Sequence, residues 1–435
     1  MLRRVRPSAL PSPTMTAVIT SQRLHCLSEP AALWTIVADT ERLNRAIGLG
    51  KIKLTPNADG TAARFLVDTV SGGVPLRYEE RPYEWREARA FSVRRVMRGG
   101  LLAEMTNSFK LERRADGGTM LDVEIAIVPR VALLAPVLRI QVRRFVARVV
   151  RHFRHVDDAL VRGRRGSLEQ GAPTVQRERF DEAAEAFLSC VSAEVRPAAE
   201  QLLEYVATAS DLDVDCMRPY AIADLWRIER RLLIDACVEA SRVGLVEPRV
   251  DVMCPSCRAA VRRSIPPVTA SDTEHDSCQL CDIGVTATAE RSHCVSFRVA
   301  RDVREVDSGP YCIGGPARAP HVVAQAIVAA GGSVTLVVPD DPGGYGLWAR
   351  GGKSGQLEVR VDAPASVYGV LSDDGFSPQR FAVAPGGTLR LEHTSAGDRH
   401  VKIERVDWAD EHLTLRAASA IPGLSELLAG VQRTR

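Results

Sequence analysis

At 435 residues the chain is too long for one compact core, and a size prior gives about three domains. Its formal charge of +3 is too small for a general nucleic-acid binder, while 45% apolar residues suffice to build cores. No uninterrupted apolar run reaches membrane-spanning length, and ten cysteines in a chain this long do not make a disulfide scaffold; a reducing, cytoplasmic setting is the simplest one.

The opening Met1-Leu-Arg-Arg-Val-Arg leads into Pro-rich sequence, not the apolar core of a signal peptide, so residues 1–15 read as a disordered tail with Met15 as an alternative start. Residues 17–26 read as a strand. Ser28-Glu-Pro30 then opens a helix through Leu33, Trp34, Ile36 and Val37, since Pro30 in the first turn loses no helical bond. Strands are expected at 62–69, 73–80, 88–98, 101–113 and 119–128. In the fourth of these, Leu101, Ala103, Met105, Asn107, Phe109 and Leu111 share a mainly apolar register, the period of a half-buried strand. A long helix over roughly 130–160 carries Val142, Phe145, Val146, Val149, Phe153 and Val156 as one stripe. Arg139, Arg143, Arg144, Arg148 and Arg151 surround it. A nucleic-acid or anionic-lipid surface competes there with the plainer reading of a solvated helix face, which the following Asp157 and Asp158 favour.

Strand, short helix, antiparallel strands and long terminal helix, together with Glu29-Pro-Ala-Ala-Leu-Trp34-Thr-Ile-Val-Ala-Asp39, resemble the START-like helix-grip domains, polyketide-cyclase-like proteins among them. The resemblance implies residues 16–160 as one domain whose sheet curls around the long helix and encloses an apolar ligand cavity. Trp34, Phe65, Tyr78, Tyr83, Trp85, Phe91, Met105 and Phe109 are its candidate lining, each also explicable as core. The family has no universal catalytic motif, so the resemblance speaks to fold before chemistry.

Residues 161–175 read as a linker and 176–250 as a helical connector. Within the latter, Pro219–Trp226 and Arg230–Val238 resemble a helix-turn-helix or winged-helix core, but Asp235 and Glu239 beside its arginines argue against DNA recognition. Residues 251–284 carry Cys254-Pro-Ser-Cys257 and Cys278-Gln-Leu-Cys281, twenty residues apart. One CxxC alone also suits redox exchange, but two at this separation predict a closed Cys₄ zinc ribbon, with Zn²⁺ as a structural ion. Arg258 stands where such knuckles often place glycine, and His275 is close enough to serve as an alternative ligand. Cys26, Cys190, Cys216, Cys237, Cys294 and Cys312 read as buried free thiols.

Residues 285–418 are strand-rich, with runs that include 295–299, 322–328, 333–338, 356–361 and 380–384, and predict an antiparallel β-sandwich followed by a tail at 419–435. The tight segment Tyr311-Cys-Ile-Gly-Gly-Pro-Ala-Arg-Ala-Pro-His321 is expected to contact the ribbon. Gly351-Gly-Lys353-Ser354 lacks the first glycine of a phosphate loop, Leu347 standing there, and reads as a hairpin turn.

Cys216-Met-Arg-Pro-Tyr-Ala, both CxxC pairs, Tyr311–Gln325 and Val406-Asp-Trp-Ala-Asp410 resemble the zinc-ribbon-and-sandwich region that precedes bacterial class III adenylate/guanylate cyclase domains. No cyclase catalytic domain is present in these 435 residues. The expectation is a multidomain α+β regulatory or ligand-sensing protein, with a small hydrophobic ligand and a nucleotidyl-cyclase domain or protein as partners. The alternative is a polyketide-cyclase-like enzyme or lipid/aromatic-ligand carrier in which Tyr78, Glu79, Glu80, Arg81, Tyr83 and Glu84 offer acid–base groups.

Overall fold

The structure, a computed structural model, describes residues 17–57, 65–71, 73–162, 174–254, 258, 260–264, 276–278, 283–285, 293–307, 309–312, 314–350, 354–406 and 412–430. It is mixed α+β and divides into two compact units: Met1–Arg164 with Pro310–Val406, and Arg165–Gly309 with Asp407–Arg435. Among the described residues no helix is long and apolar enough to cross a membrane.

The first unit opens with β1 (Val18–Cys26), α1 (Pro30–Val37), α2 (Thr40–Ala46), β2 (Lys53–Pro56), β3 (Phe65–Ser71), β4 (Val74–Glu80), β5 (Glu84–Arg86), β6 (Ala90–Met97), β7 (Leu102–Arg113), β8 (Thr119–Pro129) and α3 (Ala135–Val161). Pro30 occupies the first turn of α1, and the Asp39 side chain caps α2 by accepting from the Arg42 N–H at 3.0 Å. Strands β1, β8, β7 and β6 run antiparallel in that order. Their alternation puts Leu121, Val123, Ile125, Phe109, Leu111 and Phe91 on one face, packed against Val142, Val146, Val149 and Phe153 of α3 and Leu33 and Trp34 of α1. Burying a side chain such as Phe153, fully inaccessible here, stabilises by roughly 1.5–3 kcal/mol. Buried Asp157 ties the end of α3 to the β1–α1 turn, accepting from Leu27 N (2.7 Å) and Ser28 N (3.0 Å). A sheet folded over a long helix is the helix-grip arrangement.

At β6 the sheet forks. Tyr78–Glu80 of β4 and Glu84–Arg86 of β5 both pair with the same edge of β6, one at each end. The β4 branch continues to β3 and β2.

The second unit holds α4 (Arg177–Cys190), α5 (Arg196–Thr208), α6 (Asp211–Asp215), α7 (Pro219–Trp226), α8 (Arg230–Arg242), the three-stranded sheet of β9 (Val246–Met253), β10 (Ala260–Ser264) and β13 (His293–Val299), the hairpin of β11 (Asp276–Cys278) and β12 (Ile283–Val285), and α9 (Leu415–Ser419) and α10 (Pro422–Gly430). Arg227 turns α7 into α8 with φ +58°, and Arg230 and Arg231 are paired with Asp224 and Asp235, which neutralises the basic helix. Two expectations are corrected. The strand at 295–299 pairs with β9, not with the sandwich, because its inward residues Val295, Phe297 and Val299 complete the helical core. The expected tail at 419–435 contains a helix, with Leu424 fully buried against that core.

The first unit resumes with β14 (Val322–Val328), β15 (Ser333–Val337), β16 (Gly343–Ala349), β17 (Gly355–Val359), β18 (Ser366–Ser372), β19 (Gly375–Ser377), β20 (Arg380–Val383), β21 (Thr388–His393) and β22 (Arg399–Arg405). One sheet runs β14-β22-β16-β17-β20 and the other β15-β21-β18-β19. Leu347, Leu357, Leu371, Leu389, Leu391, Val401 and Ile403 fill the space between. The sandwich is not purely antiparallel: β17–β20 and β18–β21 are parallel. In each of these two pairs the chain visits the other sheet between the paired strands. The β16–β17 pairing fits the hairpin expected around Gly351-Gly-Lys353, which itself lies outside the described residues. Through Trp85↔Gln325 and Arg86↔Ala324, β5 joins β14, so the grip sheet and one sandwich sheet are continuous.

Candidate functional site

Five of the eight predicted cavity residues, Trp34, Tyr83, Trp85, Phe91 and Phe109, are buried in one core with α3. Phe91 stacks on Phe109 with centroids 4.5 Å apart, Trp34 meets Phe91 edge-on at 5.9 Å, and Phe109 meets Phe153 at 5.9 Å. These rings pack on one another within the core. Tyr78 packs separately with Val67 and Met97, half-buried Met105 touches both clusters, and Phe65 is buried outside either.

Polar side chains occupy the fork. Arg95, on the inner face of β6 and 8% exposed, donates from Nε to Glu80 at 2.9 Å and from Nη2 to the Tyr83 hydroxyl at 3.3 Å, and lies over the Tyr78 ring. Glu79 is held on the other face by Arg98 (2.9 Å) and by Arg81, whose Nε lies 2.9 Å from Oε1 without hydrogen-bond geometry. Burial pushes the Tyr78 and Tyr83 phenols up. Glu79 and Glu80 are thus committed to arginines and both phenols hold their protons, which argues against acid–base roles for these four of the six groups weighed from sequence; burial pushes the Glu84 carboxyl up.

Cys312 enters this cluster from the segment before β14. Its Sγ accepts from Thr40 Oγ1 at 3.1 Å and lies 3.3 Å from the Tyr83 hydroxyl. Burial first, and the Glu80 charge next, push the thiol up, so it is held as a thiol and is a poor nucleophile. The described residues of this segment are fastened to the grip domain, an attachment the sequence reading did not foresee. Ile52 N donates to Pro310 O (2.9 Å), Asn44 Nδ2 to Tyr311 O (2.9 Å), and Arg318 pairs with Glu41. A Cβ at Gly315 would collide with Thr40 Oγ1, and one at Gly314 would press the Tyr83 ring at 3.0 Å; glycine is the residue that allows this approach.

Two further residues escaped the sequence reading as site candidates. Thr20, Ile125, Asn107 and Val93 stand in register across β1, β8, β7 and β6, so Thr20 and Asn107 flank Ile125 on the inner face. Thr20 Oγ1 and Asn107 Oδ1 are both buried and have no hydrogen-bond partner among the described residues. Half-buried Leu102, Met105, Leu138 and Phe145 pack at the edge of the same core. Asn107 did leave a signal, as the one amide in an otherwise apolar register; Thr20 left none.

A separate cleft of about 390 Å³ in this unit is lined by Trp34, Ala88, Val323, Val338 and Pro339 together with paired charges. Arg405 binds Glu87 through two bonds of 2.6 and 3.1 Å, and Asp340 lies between Arg86 and Arg89.

Of the predicted zinc ligands, Cys254 and Cys278 are buried, while Cys257 and Cys281 lie outside the described residues. Arg258 N donates to Cys254 O at 2.9 Å and Arg258 takes φ +53°, the left-handed conformation that glycine would supply at this position. Among the described residues no group of three His, Cys, Asp or Glu side chains is placed to hold a metal.

A family model described as a family of unknown function (DUF5939) matches residues 181–310. No curated protein matches the chain. Solved structures resembling about a third of it include Ara h 8.0201 (17% identity, 33% of this chain and 99% of that one, TM-score 0.27). The Zhui aromatase/cyclase from Streptomyces (12%, 34% and 96%, TM-score 0.28) is another. A START superfamily protein from Mycobacterium smegmatis (14%, 31% and 92%, TM-score 0.24) is a third. Neither this family nor these resemblances points to a nucleotidyl cyclase.

Proposed function

We propose that this chain is a ligand-sensing regulatory protein whose helix-grip body takes a small, mainly apolar molecule bearing a hydroxyl or similar polar group. The observation that carries this reading is the pair of buried oxygens on Thr20 and Asn107, each without a hydrogen-bond partner among the described residues and flanking Ile125 on the inner face. An orphaned buried polar atom costs about 1–3 kcal/mol, and a ligand hydroxyl entering between the sheet and α3 relieves that cost. Calorimetric titration with 2-naphthol and with naphthalene tests it. The hydroxylated ring should bind more tightly, and Thr20→Val or Asn107→Leu should weaken it by about three- to tenfold without lowering stability. Equal affinity for the two rings, or no binding of either, would sink the reading.

The ribbon is proposed as a structural Zn²⁺ site formed by Cys254, Cys257, Cys278 and Cys281. The turn at Arg258 and the burial of Cys254 and Cys278 support it. Zinc would tie the two CxxC turns together, contributing directly to folding. Elemental analysis of reduced protein should give one zinc per chain, and Cys257→Ser should lower it; a value near zero refutes the site.

A nucleotidyl-cyclase domain or protein is the partner proposed for the regulated output, and cytoplasm the compartment. The sequence resemblance supports the former, and the buried thiols of Cys26, Cys237, Cys294 and Cys312 support the latter, while Cys190 is exposed. Cyclase activity in the combined assembly that is indifferent to removal of the grip body, at saturating ligand, would count against it.

A further inference from the structure

From Ile125 to Val156 the sequence contains seven arginines and no aspartate or glutamate. This stretch includes the last part of β8, the turn after it and most of α3. The inner stripe of α3 is accounted for by Val142, Val146, Val149 and Phe153. The opposite side is not. Val137, Ile140, Arg144 and Arg151 recur there at helical spacing, and all four are exposed. The apolar members are large and open: Leu133 is 86% exposed, Val137 58%, Val131 53% and Ile140 52%. Leu101, 59% exposed, joins them from the β6–β7 turn, where Arg130 N donates to its carbonyl at 2.8 Å. Arg139, Arg143 and Arg144 beside them form no ion pair among the described residues, whereas most arginines elsewhere in this unit are matched to a carboxylate.

Exposed branched aliphatics interleaved with unmatched arginines fit one partner chemistry in particular. We propose that the β8–α3 turn and the outer face of α3 form a peripheral docking surface for an anionic phospholipid bilayer, with Leu133 and Val137 entering the interface and the arginines meeting headgroup phosphates. The aliphatic residues lose water only if the partner has an apolar layer beneath its charge, which a bilayer has. A nucleic acid would use the arginines but leave Leu133 and Val137 in water, and this surface presents no exposed aromatic ring for base stacking. The proposal is independent of any ligand held between the sheet and α3.

Flotation of the full chain with vesicles tests it, using pure phosphatidylcholine against equimolar phosphatidylcholine and phosphatidylglycerol. The chain should float with the anionic vesicles and far less with the neutral ones, and the binding should weaken as salt rises. Replacing Arg143, Arg144 and Arg151 together by Gln should reduce partitioning by on the order of a hundredfold, since each arginine near such a surface contributes about a factor of five or more. Leu133→Ser with Val137→Ser should reduce it by about tenfold at low salt. All five positions are exposed, so thermal unfolding should be unchanged and the variants remain comparable. Three results overturn the proposal: equal binding to both vesicle types or none; displacement from anionic vesicles by duplex DNA at equal phosphate; or a native dimer that the serine pair dissociates while vesicle binding is absent.

Discussion

Each unit buries an arginine, and the two are used differently. Arg304 in the second unit is 1% exposed and donates to Val206 O (2.7 Å), Ala209 O (2.7 Å) and Asp211 Oδ1 (2.8 Å). Two of its partners are carbonyls at and just beyond the end of α5, and the third lies at the start of α6, so it closes the corner between two helices. Arg95 in the first unit faces a carboxylate, two phenols and the environment of a thiol, on a sheet face that also carries orphaned acceptors. A guanidinium that saturates helix ends serves the fold alone. One that organises side chains at a fork in a sheet leaves the neighbouring interior adjustable.

The sharpest way to break this comparison is Arg304→Met. It removes the donor to two carbonyls and to Asp211 Oδ1 and should cost about 3–5 kcal/mol in denaturant unfolding of the second unit. A loss below about 1 kcal/mol would deny Arg304 its role. Glu80→Leu comes next, at roughly 3 kcal/mol, because it strands the Arg95 charge; Arg95→Met added to it should recover most of that loss. If the double variant is no better than the single one, the pair is part of a larger network and the contrast with Arg304 fades. A smaller effect is expected from pH. Burial first, and the neighbouring His155 next, hold His152 down at about 4, against 6.5 when unfolded. The unfolded chain therefore takes up the proton first, and the first unit should lose stability progressively as pH falls from about 6.5 toward 4; His152→Gln should flatten that slope in thermal melts. Smallest is Ser210→Ala, which removes the cap on α6 beside Arg304's partners and should cost about 1 kcal/mol.

Local order was legible in the sequence where a single element determines it. The alternation at 101–113 placed Met105, Phe109 and Leu111 on the inner face, and the spacing of Val142, Val146, Val149 and Phe153 gave the stripe of α3. What stayed hidden depends on partners far apart in the chain. Nothing in Glu84-Trp-Arg86 announces a strand that pairs with residues beyond 320, and nothing in Tyr311–Ala319 announces that Cys312 ends beside Thr40 and Tyr83. The site was half legible for the same reason. Aromatic lining follows from composition and period, whereas the orphaned state of Thr20 and Asn107 exists only once four strands are in register.

The fork at β6 also sets a schedule. Trp85 emerges from the ribosome about 240 residues before its partner Gln325, with the whole of Arg165–Gly309 made in between. At ordinary elongation rates that is a wait of roughly ten to fifty seconds. During this interval the β5 edge of the nascent sheet has no β14, and the niche between Thr40 and Tyr83 has no Cys312. A bare strand edge is a template for pairing with other chains. The chain is therefore most exposed to misassembly while it is being synthesised, and a chaperone that shields the nascent first unit, or a slower translation of its second part, should change the yield of protein far more than its final stability.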